Sequence, residues 1–134
     1  MWSDEYLLGN IVIDKQHKHL FAVASNLLNN YSNKEEVDKK ALETTLCFLK
    51  EYAINHFSTE EKYQIAAKYN GYQEHKKLHE QFLSRLSHHE NAIKESDFSK
   101  AEVDEFINTL VTWLTHHIGV EDKKIALKGV YVEV

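Results

Sequence analysis

The sequence contains no proline and has only four glycines, one cysteine and one arginine, Arg85. Without proline, the chain lacks the residue that most strongly interrupts a helix. The single thiol, Cys47, excludes an internal disulfide, and its apolar neighbours predict a small core residue. A formal net charge of -5 and the lack of an arginine-rich stretch argue against a nucleic-acid partner.

Long apolar runs are also missing. No stretch approaches the roughly 20 apolar residues that span a bilayer, so we predict no membrane span. The first residues show no basic segment followed by an apolar one, the pattern of a secretory signal. We therefore expect a soluble, cytoplasmic protein, with residues 1–134 forming one domain.

Apolar residues recur at steps of three and four over long windows, which is typical of amphipathic helices. We count four such windows joined by short loops. This pattern predicts an all-α fold, an up-down-up-down four-helix bundle. The bundle covers about 14–125, preceded by an N-terminal arm of about 1–13 and followed by a short C-terminal tail.

Polar residues mark the expected helix starts. We predict that Asp14 caps the first helix and that Ser32 and Glu35 form a capping box for the second. The third is expected to begin around Gln73, and a second capping box, from Ser99 to Glu102, opens the fourth. In the second helix, Phe48 lies eight residues before His56, which is two steps of four. We therefore predict that Phe48 faces the core.

Seven potential metal ligands occur on the four predicted helices, and all of them except Asp122 lie on the apolar stripes that must face the core. On a helix, residues four apart stack on one face and reach the same small volume. Buried polar groups are costly unless they are paired, and metal coordination would satisfy all seven lone pairs together. The seven are His17, His56, Glu60, His75, His79, His117 and Asp122.

Five imidazoles and two carboxylates are too many for one zinc ion, which takes about four ligands. They suit two irons bridged by carboxylates. Asp122 is the weak point, because a step of five from His117 turns about 140° away on an ideal helix. Glu121 is the alternative on spacing alone, and Gly119 lies where a distortion could align Asp122. The remaining histidines are read as surface residues or as neighbours of the ligands: His19, His88, His89 and His116.

Together these segments resemble the hemerythrin family over nearly the whole chain, and the bacterial single-domain members most of all. The similarity lies in Trp2-Ser3 with Gly9-Asn10-Ile11, in the stretch from Ile13 to Phe21, and in three further segments around the ligands. Those three are His56-Phe57-Ser58-Thr59-Glu60-Glu61, His75-Lys76-Lys77-Leu78-His79, and Trp113-Leu114-Thr115-His116-His117-Ile118 ending at Asp122. The resemblance implies that Asp122, not Glu121, is the last carboxylate ligand.

The resemblance also implies the assignment of ligands to two non-heme irons joined by an oxo or hydroxo bridge. One iron is held by His75, His79 and His117, and the other by His17 and His56. Glu60 and Asp122 bridge them. The second iron then has an open position, where the implied ligand is dioxygen.

The implied function is reversible dioxygen binding for oxygen storage, transport or delivery, without an enzymatic reaction. A water-excluding pocket is expected around the open position. Its candidate lining residues are Leu114, Phe21, Phe57, Trp113 and Gln64. Gln64 departs from the family, which often has methionine or another apolar residue there.

Other functions would share this site. An oxygen or redox sensor acting through a partner protein, and iron or peroxide handling, both remain open at this point, and no protein partner is indicated. Ferritin-like diiron oxidases are less favoured, because they use about four carboxylates and a Glu-xx-His motif. This chain is richer in histidine and lacks that motif at the predicted ligands.

Overall fold

The computed structural model describes residues 1–133; the predicted domain end, Val134, lies outside them. Within this range four α-helices run in sequence: α1 (Ile11–Tyr31), α2 (Lys39–Ala66), α3 (Tyr72–Glu95) and α4 (Lys100–His116). Each packs on the next, and α4 packs back on α1. The predicted all-α four-helix bundle is confirmed. No helix among the described residues is both long and apolar enough to cross a membrane.

Three of the helix starts follow from short polar side chains that accept a hydrogen bond from the first turn. Asn10 caps α1 by accepting from the Ile13 N–H, Asp38 caps α2, and Ser99 caps α4 as predicted. The prediction for Asp14 was wrong. That residue lies inside α1, and its carboxylate accepts from the backbone N–H groups of Leu8 and Gly9.

The predicted capping box at Ser32 was also wrong, because α2 begins seven residues later, after Asp38. Asn33 adopts a left-handed backbone with φ of 58°, which an α-helix cannot continue through. Its N–H donates to the Asp104 carboxylate near the start of α4, so the segment between α1 and α2 is held against α4.

The core runs along the bundle axis and is built from one apolar stripe of each helix. On α2 the stripe alternates steps of three and four through Leu42, Leu46, Leu49 and Ala53, all at most 1% exposed. A strict step of four drifts by about 40° per step. Phe48 is therefore 43% exposed, and the neighbouring Cys47 is also exposed, contrary to the predicted core position of both.

The N-terminal arm packs its aromatic side chains against α1. The rings of Trp2 and Tyr6 lie 5.6 Å and 4.7 Å from the ring of Phe21. Tyr6 also lies over Gly119, where an added Cβ would come within 3.2 Å of the tyrosine ring. The Lys123 ammonium donates to the Leu7 carbonyl. The arm therefore covers the end of α4 that carries part of the predicted metal site.

We predict that Asn10→Ala destabilises the protein by about 2 kcal/mol. Asn10 is 6% exposed; it caps α1, and its side-chain amide donates to the carbonyls of Leu127 and Val130 in the tail. Urea unfolding would measure the loss. Asp38→Ala is the matched control, because it removes an exposed cap alone and should cost about 1 kcal/mol. Equal losses would show that the tail contacts contribute nothing.

Candidate metal centre

The seven predicted ligands converge between the helices, toward the end of the bundle where α2 connects to α3, and all are buried. α1 supplies His17, α2 supplies His56 and Glu60, α3 supplies His75 and His79, and the two short turns that follow α4 supply His117 and Asp122. None is more than 3% exposed. The burial of the five histidines and Glu60 agrees with their positions on the apolar stripes, whereas the spacing of Asp122 did not predict its inward position.

A π-helical turn solves the spacing problem at the end of α4. Residues His117–Glu121 form this turn, and the Asp122 N–H donates to the His117 carbonyl five residues back. The extra residue widens the turn, so a step of five brings Asp122 to the same side as His117. Glu121 instead points outward, where it contacts Lys124 and lies 3.8 Å from His116.

The ligand histidines form two groups around the buried carboxylates. Each carboxylate directs one oxygen toward one group and its other oxygen toward the second group. Glu60 Oε2 lies 3.1 Å from the Nε2 atom of His17 and 3.4 Å from that of His56. Its other oxygen, Oε1, lies 3.1 Å from the Nε2 atoms of both His75 and His79. A single carboxylate that faces two sets of nitrogen atoms has the geometry of a bridging ligand.

Asp122 repeats this arrangement from the opposite helix. Its Oδ2 lies 3.1 Å from His17, whereas Oδ1 lies 2.9 Å from His75 and 3.2 Å from His117. The ligand atoms fall into two groups that could each hold an ion and that share Glu60. One group is His17, His56 and Glu60; the other is Glu60, His75, His79, His117 and Asp122.

Comparison with known proteins agrees with this geometry. The profile described as the hemerythrin HHE cation binding domain matches residues 9–127. The chain belongs to the hemerythrin family. It is 33% identical over 126 residues to a bacteriohemerythrin of Clostridium acetobutylicum, covering 92% of this chain and 96% of that one. A bacteriohemerythrin of Pseudomonas aeruginosa is 30% identical over 122 residues, covering 91% and 76%. A hemerythrin from Sipunculus nudus is 28% identical over 124 residues, covering 92% and 88%.

The donor set of this chain fits a bound metal better than it fits a hydrogen-bond network. Both carboxylate oxygens of Asp122 are buried without a hydrogen bond of suitable geometry among the residues described. The Nε2 atoms of His79 and His117 lie 3.1 Å apart, and at most one can carry the proton shared between them. Cations between these atoms would satisfy lone pairs that now face one another.

Opposite charges at this site hold one another in place when no metal is bound. Burial acts to lower the pKa of His17, but the nearby negative charges of Asp122 and Glu60, each with an oxygen 3.1 Å from Nε2, outweigh it and raise that pKa to about 10. Burial acts to raise the pKa of Glu60, but hydrogen bonds from four histidines hold it well below its usual range. Metal ions compete with these protons, so metal uptake releases protons and weakens as the pH falls.

The outward Nδ1 atoms of two ligand histidines contact side chains that the sequence did not single out. His56 Nδ1 lies 2.7 Å from Gln16 Oε1, and His79 Nδ1 lies 2.9 Å from Glu61 Oε2. Both partners are direct chain neighbours of predicted ligands. That adjacency is a usable signal, because partially buried polar residues beside metal ligands often orient them.

The four apolar pocket candidates lie on one side of the carboxylates. Phe57 stacks on His79 at 3.9 Å, and Trp113 stacks on His117 at 4.2 Å, with the rings of each pair within 10° of parallel. Phe21 and Leu114 are each 1% exposed in the same core cluster as Phe57. Phe57 and Trp113 therefore stack on histidines of the group of three, and a water-excluding pocket lined by these four residues stays a prediction.

Gln64 is fully buried on α2, and neither its amide oxygen nor its amide nitrogen has a hydrogen-bond partner among the described residues. It follows Glu60 by one helical turn, whereas Phe57 precedes Glu60. Seven residues along a helix correspond to a rise of about 10 Å. Gln64 and Phe57 are therefore on opposite sides of the Glu60 carboxylate along the α2 axis.

We predict that Gln64→Met stabilises the protein by roughly 1 to 3 kcal/mol. The substitution removes two buried, unsatisfied polar atoms and keeps a side chain of similar length. Urea unfolding of the metal-free protein measures this, and Gln81→Met, at an exposed position on α3, is the control. Unchanged or lower stability would mean that the Gln64 amide has a partner, such as a buried water.

The histidines left out of the predicted ligand set lie outside this cluster. His19, His88 and His116 are not buried, and His89 is partly buried beside Phe106. His19 stacks on Tyr52 at 4.6 Å on the surface of α1 and α2. Their placement agrees with the choice of His117 over its neighbour His116.

Proposed function

We propose that this protein binds dioxygen reversibly at a non-heme diiron centre, for oxygen storage, transport or delivery. The observation that carries the proposal is the unequal number of histidines on the two sides of the bridging carboxylates. His75, His79 and His117 face one set of oxygens, and His17 and His56 face the other. The side with two histidines therefore has one protein ligand fewer, which leaves room for an exogenous ligand.

In this proposal the irons, when bound, supply the redox chemistry that allows dioxygen to be held and released. The chain supplies the rest. Glu60 and Asp122 would each contact both irons, and their negative charges would offset part of the charge of two cations. The five imidazoles present Nε2 inward, where they would serve as ligands to the two irons.

The apolar side chains around the centre limit access of water and of proton donors. Phe57 is 4% exposed, and Leu114 is 1% exposed one turn before His117. A site with few proton donors favours release of unchanged dioxygen over its reduction. A carrier needs such a site, and an oxidase does not, because it must deliver protons to the reduced oxygen.

The test is the visible spectrum of the reduced, iron-loaded protein in three states: without oxygen, after exposure to air, and after oxygen removal. The proposal predicts an absorption band that appears with oxygen and disappears when oxygen is removed, over repeated cycles. Oxygen consumption should then stop at one molecule per diiron centre. A single irreversible conversion to a ferric spectrum would contradict reversible carriage and favour a redox sensor or an oxidase.

A further inference from the structure

The five ligand histidines differ in what their outward nitrogen atoms contact. All five turn Nε2 toward the buried carboxylates, so Nδ1 is the outward atom in each. His79 Nδ1 contacts a carboxylate, Glu61, and His56 Nδ1 contacts a neutral amide, Gln16. His17 Nδ1 is buried without a partner among residues 1–133. The two histidine groups are thus supported by partners of different charge.

A carboxylate acceptor changes an imidazole more than an amide acceptor does. It fixes the tautomer and the ring orientation, and it makes the inward nitrogen a stronger donor. Hydrogen bonds with a charged partner are also roughly twice as strong as those between neutral groups. Glu61 faces His79 in the group of three histidines, whereas Gln16 faces His56 in the group of two.

The ring of His79 is held on a second side as well. Phe57 stacks on it at 3.9 Å with 8° between the ring planes. Glu61 is 19% exposed, which leaves its carboxylate partly in contact with solvent while one oxygen reaches His79. The phenyl ring and the carboxylate together leave His79 one orientation, with Nδ1–H toward Glu61 and Nε2 toward Glu60.

We propose that Glu61 is a positioning residue that strengthens His79 as a donor and so makes the two metal positions electronically unequal. The position with three histidines favours the higher oxidation state, and the position supported by Gln16 favours it less. This inference rests on the proposed diiron function. It goes beyond that function because it assigns a role to two residues that are not ligands.

The test uses Glu61→Gln, which keeps a hydrogen-bond acceptor of the same shape and removes its charge. The midpoint potential of the iron-loaded protein should rise, because the loss of the charged acceptor weakens the preference for ferric over ferrous iron. A tenfold weaker preference corresponds to a rise of about 59 mV for one electron. Gln16→Glu should shift the potential in the opposite direction. Reciprocal shifts would not arise from a role in packing alone.

The matched control is Glu121→Gln. Glu121 is the chain neighbour of Asp122 as Glu61 is of Glu60, but it faces Lys124 rather than a ligand ring. The control loses the same charge near the centre, and its midpoint potential should change by only a small fraction of the Glu61→Gln shift. Equal shifts in both variants would show that the potential responds to charge in general and not to the proposed hydrogen bond.

Nuclear magnetic resonance of the zinc-loaded protein provides a readout that does not depend on iron chemistry. The Nδ1 proton of His79 should resonate at an unusually low field and move upfield in Glu61→Gln. An unchanged proton resonance and an unchanged potential, in a protein that still holds two metals, would overturn the inference alone. Failure of the wild-type chain to bind metal would overturn the proposed function, and spectra of the metal-free protein would still report on the Glu61–His79 bond.

Discussion

Replacing Asp122 with alanine should remove most of the bound metal, whereas replacing Glu121 should leave the metal content near that of the wild type. Asp122 is fully buried and faces both histidine groups, with oxygens 3.1 Å from His17 and 2.9 Å from His75. Its loss removes one of two bridging ligands and leaves buried imidazoles unpaired. We expect metal affinity to fall at least 100-fold, as measured by metal content after dialysis.

Glu121→Ala is a close control, since it changes a carboxylate one residue away. Glu121 is on the outer side of the π turn, with its carboxylate 3.2 Å from the Lys124 ammonium. That exposed pair contributes little to stability. Equal metal loss in the two variants would contradict the assignment of Asp122 as the bridge, and loss in Glu121→Ala alone would transfer the role to Glu121.

Adding ferrous iron to the metal-free protein without oxygen should raise its thermal midpoint by on the order of 15 °C. A ligand at about 1,000 times its dissociation constant stabilises the folded state by about 4 kcal/mol, and each kcal/mol shifts the midpoint by about 4 °C in a domain of this size. The large effect is expected because a metal would supply a partner to buried atoms that have no hydrogen bond of suitable geometry among residues 1–133, including both oxygens of Asp122.

Magnesium is the control for this shift. It prefers oxygen ligands and an octahedral shell of water, so a site of five imidazoles and two carboxylates should bind it poorly. We expect no rise in the midpoint with magnesium in differential scanning calorimetry. A metal-free protein that melts at the same temperature with and without ferrous iron would mean that the cluster does not bind this metal when folded.

Much of the fold followed from the apolar period alone. The stripes of α1, α3 and α4 contain most of the residues expected to face inward, although Leu28, also expected inward on α1, is 37% exposed. The absence of proline is consistent with helices of 17 to 28 residues. The position of each polar residue on those stripes was the strongest signal for the centre. His17 and His79 are buried because they share a face with leucine and phenylalanine neighbours.

The sequence was less informative where local geometry departs from the ideal helix. The π turn at His117–Glu121 depends on a hydrogen bond that spans five residues, and no residue pattern demands it. Spacing alone therefore left Asp122 and Glu121 as alternatives, and family resemblance favoured Asp122. The structure brings Asp122 to the site through this turn, which is the physical reason why a step of five reaches the same side.

Helix starts and surface positions were also difficult to infer. Ser32 and Glu35 have the spacing of a capping box, but the left-handed Asn33 separates them from α2. Phe48 was assigned inward because a step of four fits His56 locally, and the error grows with distance along the helix. A tertiary contact of Asn33 with Asp104 overrode the local pattern at Ser32, whereas the true period of the helix accounts for the exposed position of Phe48.

The most direct measurement is the number of metal ions bound per chain after reconstitution with ferrous iron and removal of unbound metal. A bridged centre of five histidines and two carboxylates predicts two irons per chain, with Glu60→Gln losing both, since Glu60 belongs to both groups of ligands. One iron per chain in the wild type, or two that persist in Glu60→Gln, would contradict the central claim that these residues form a single two-metal site.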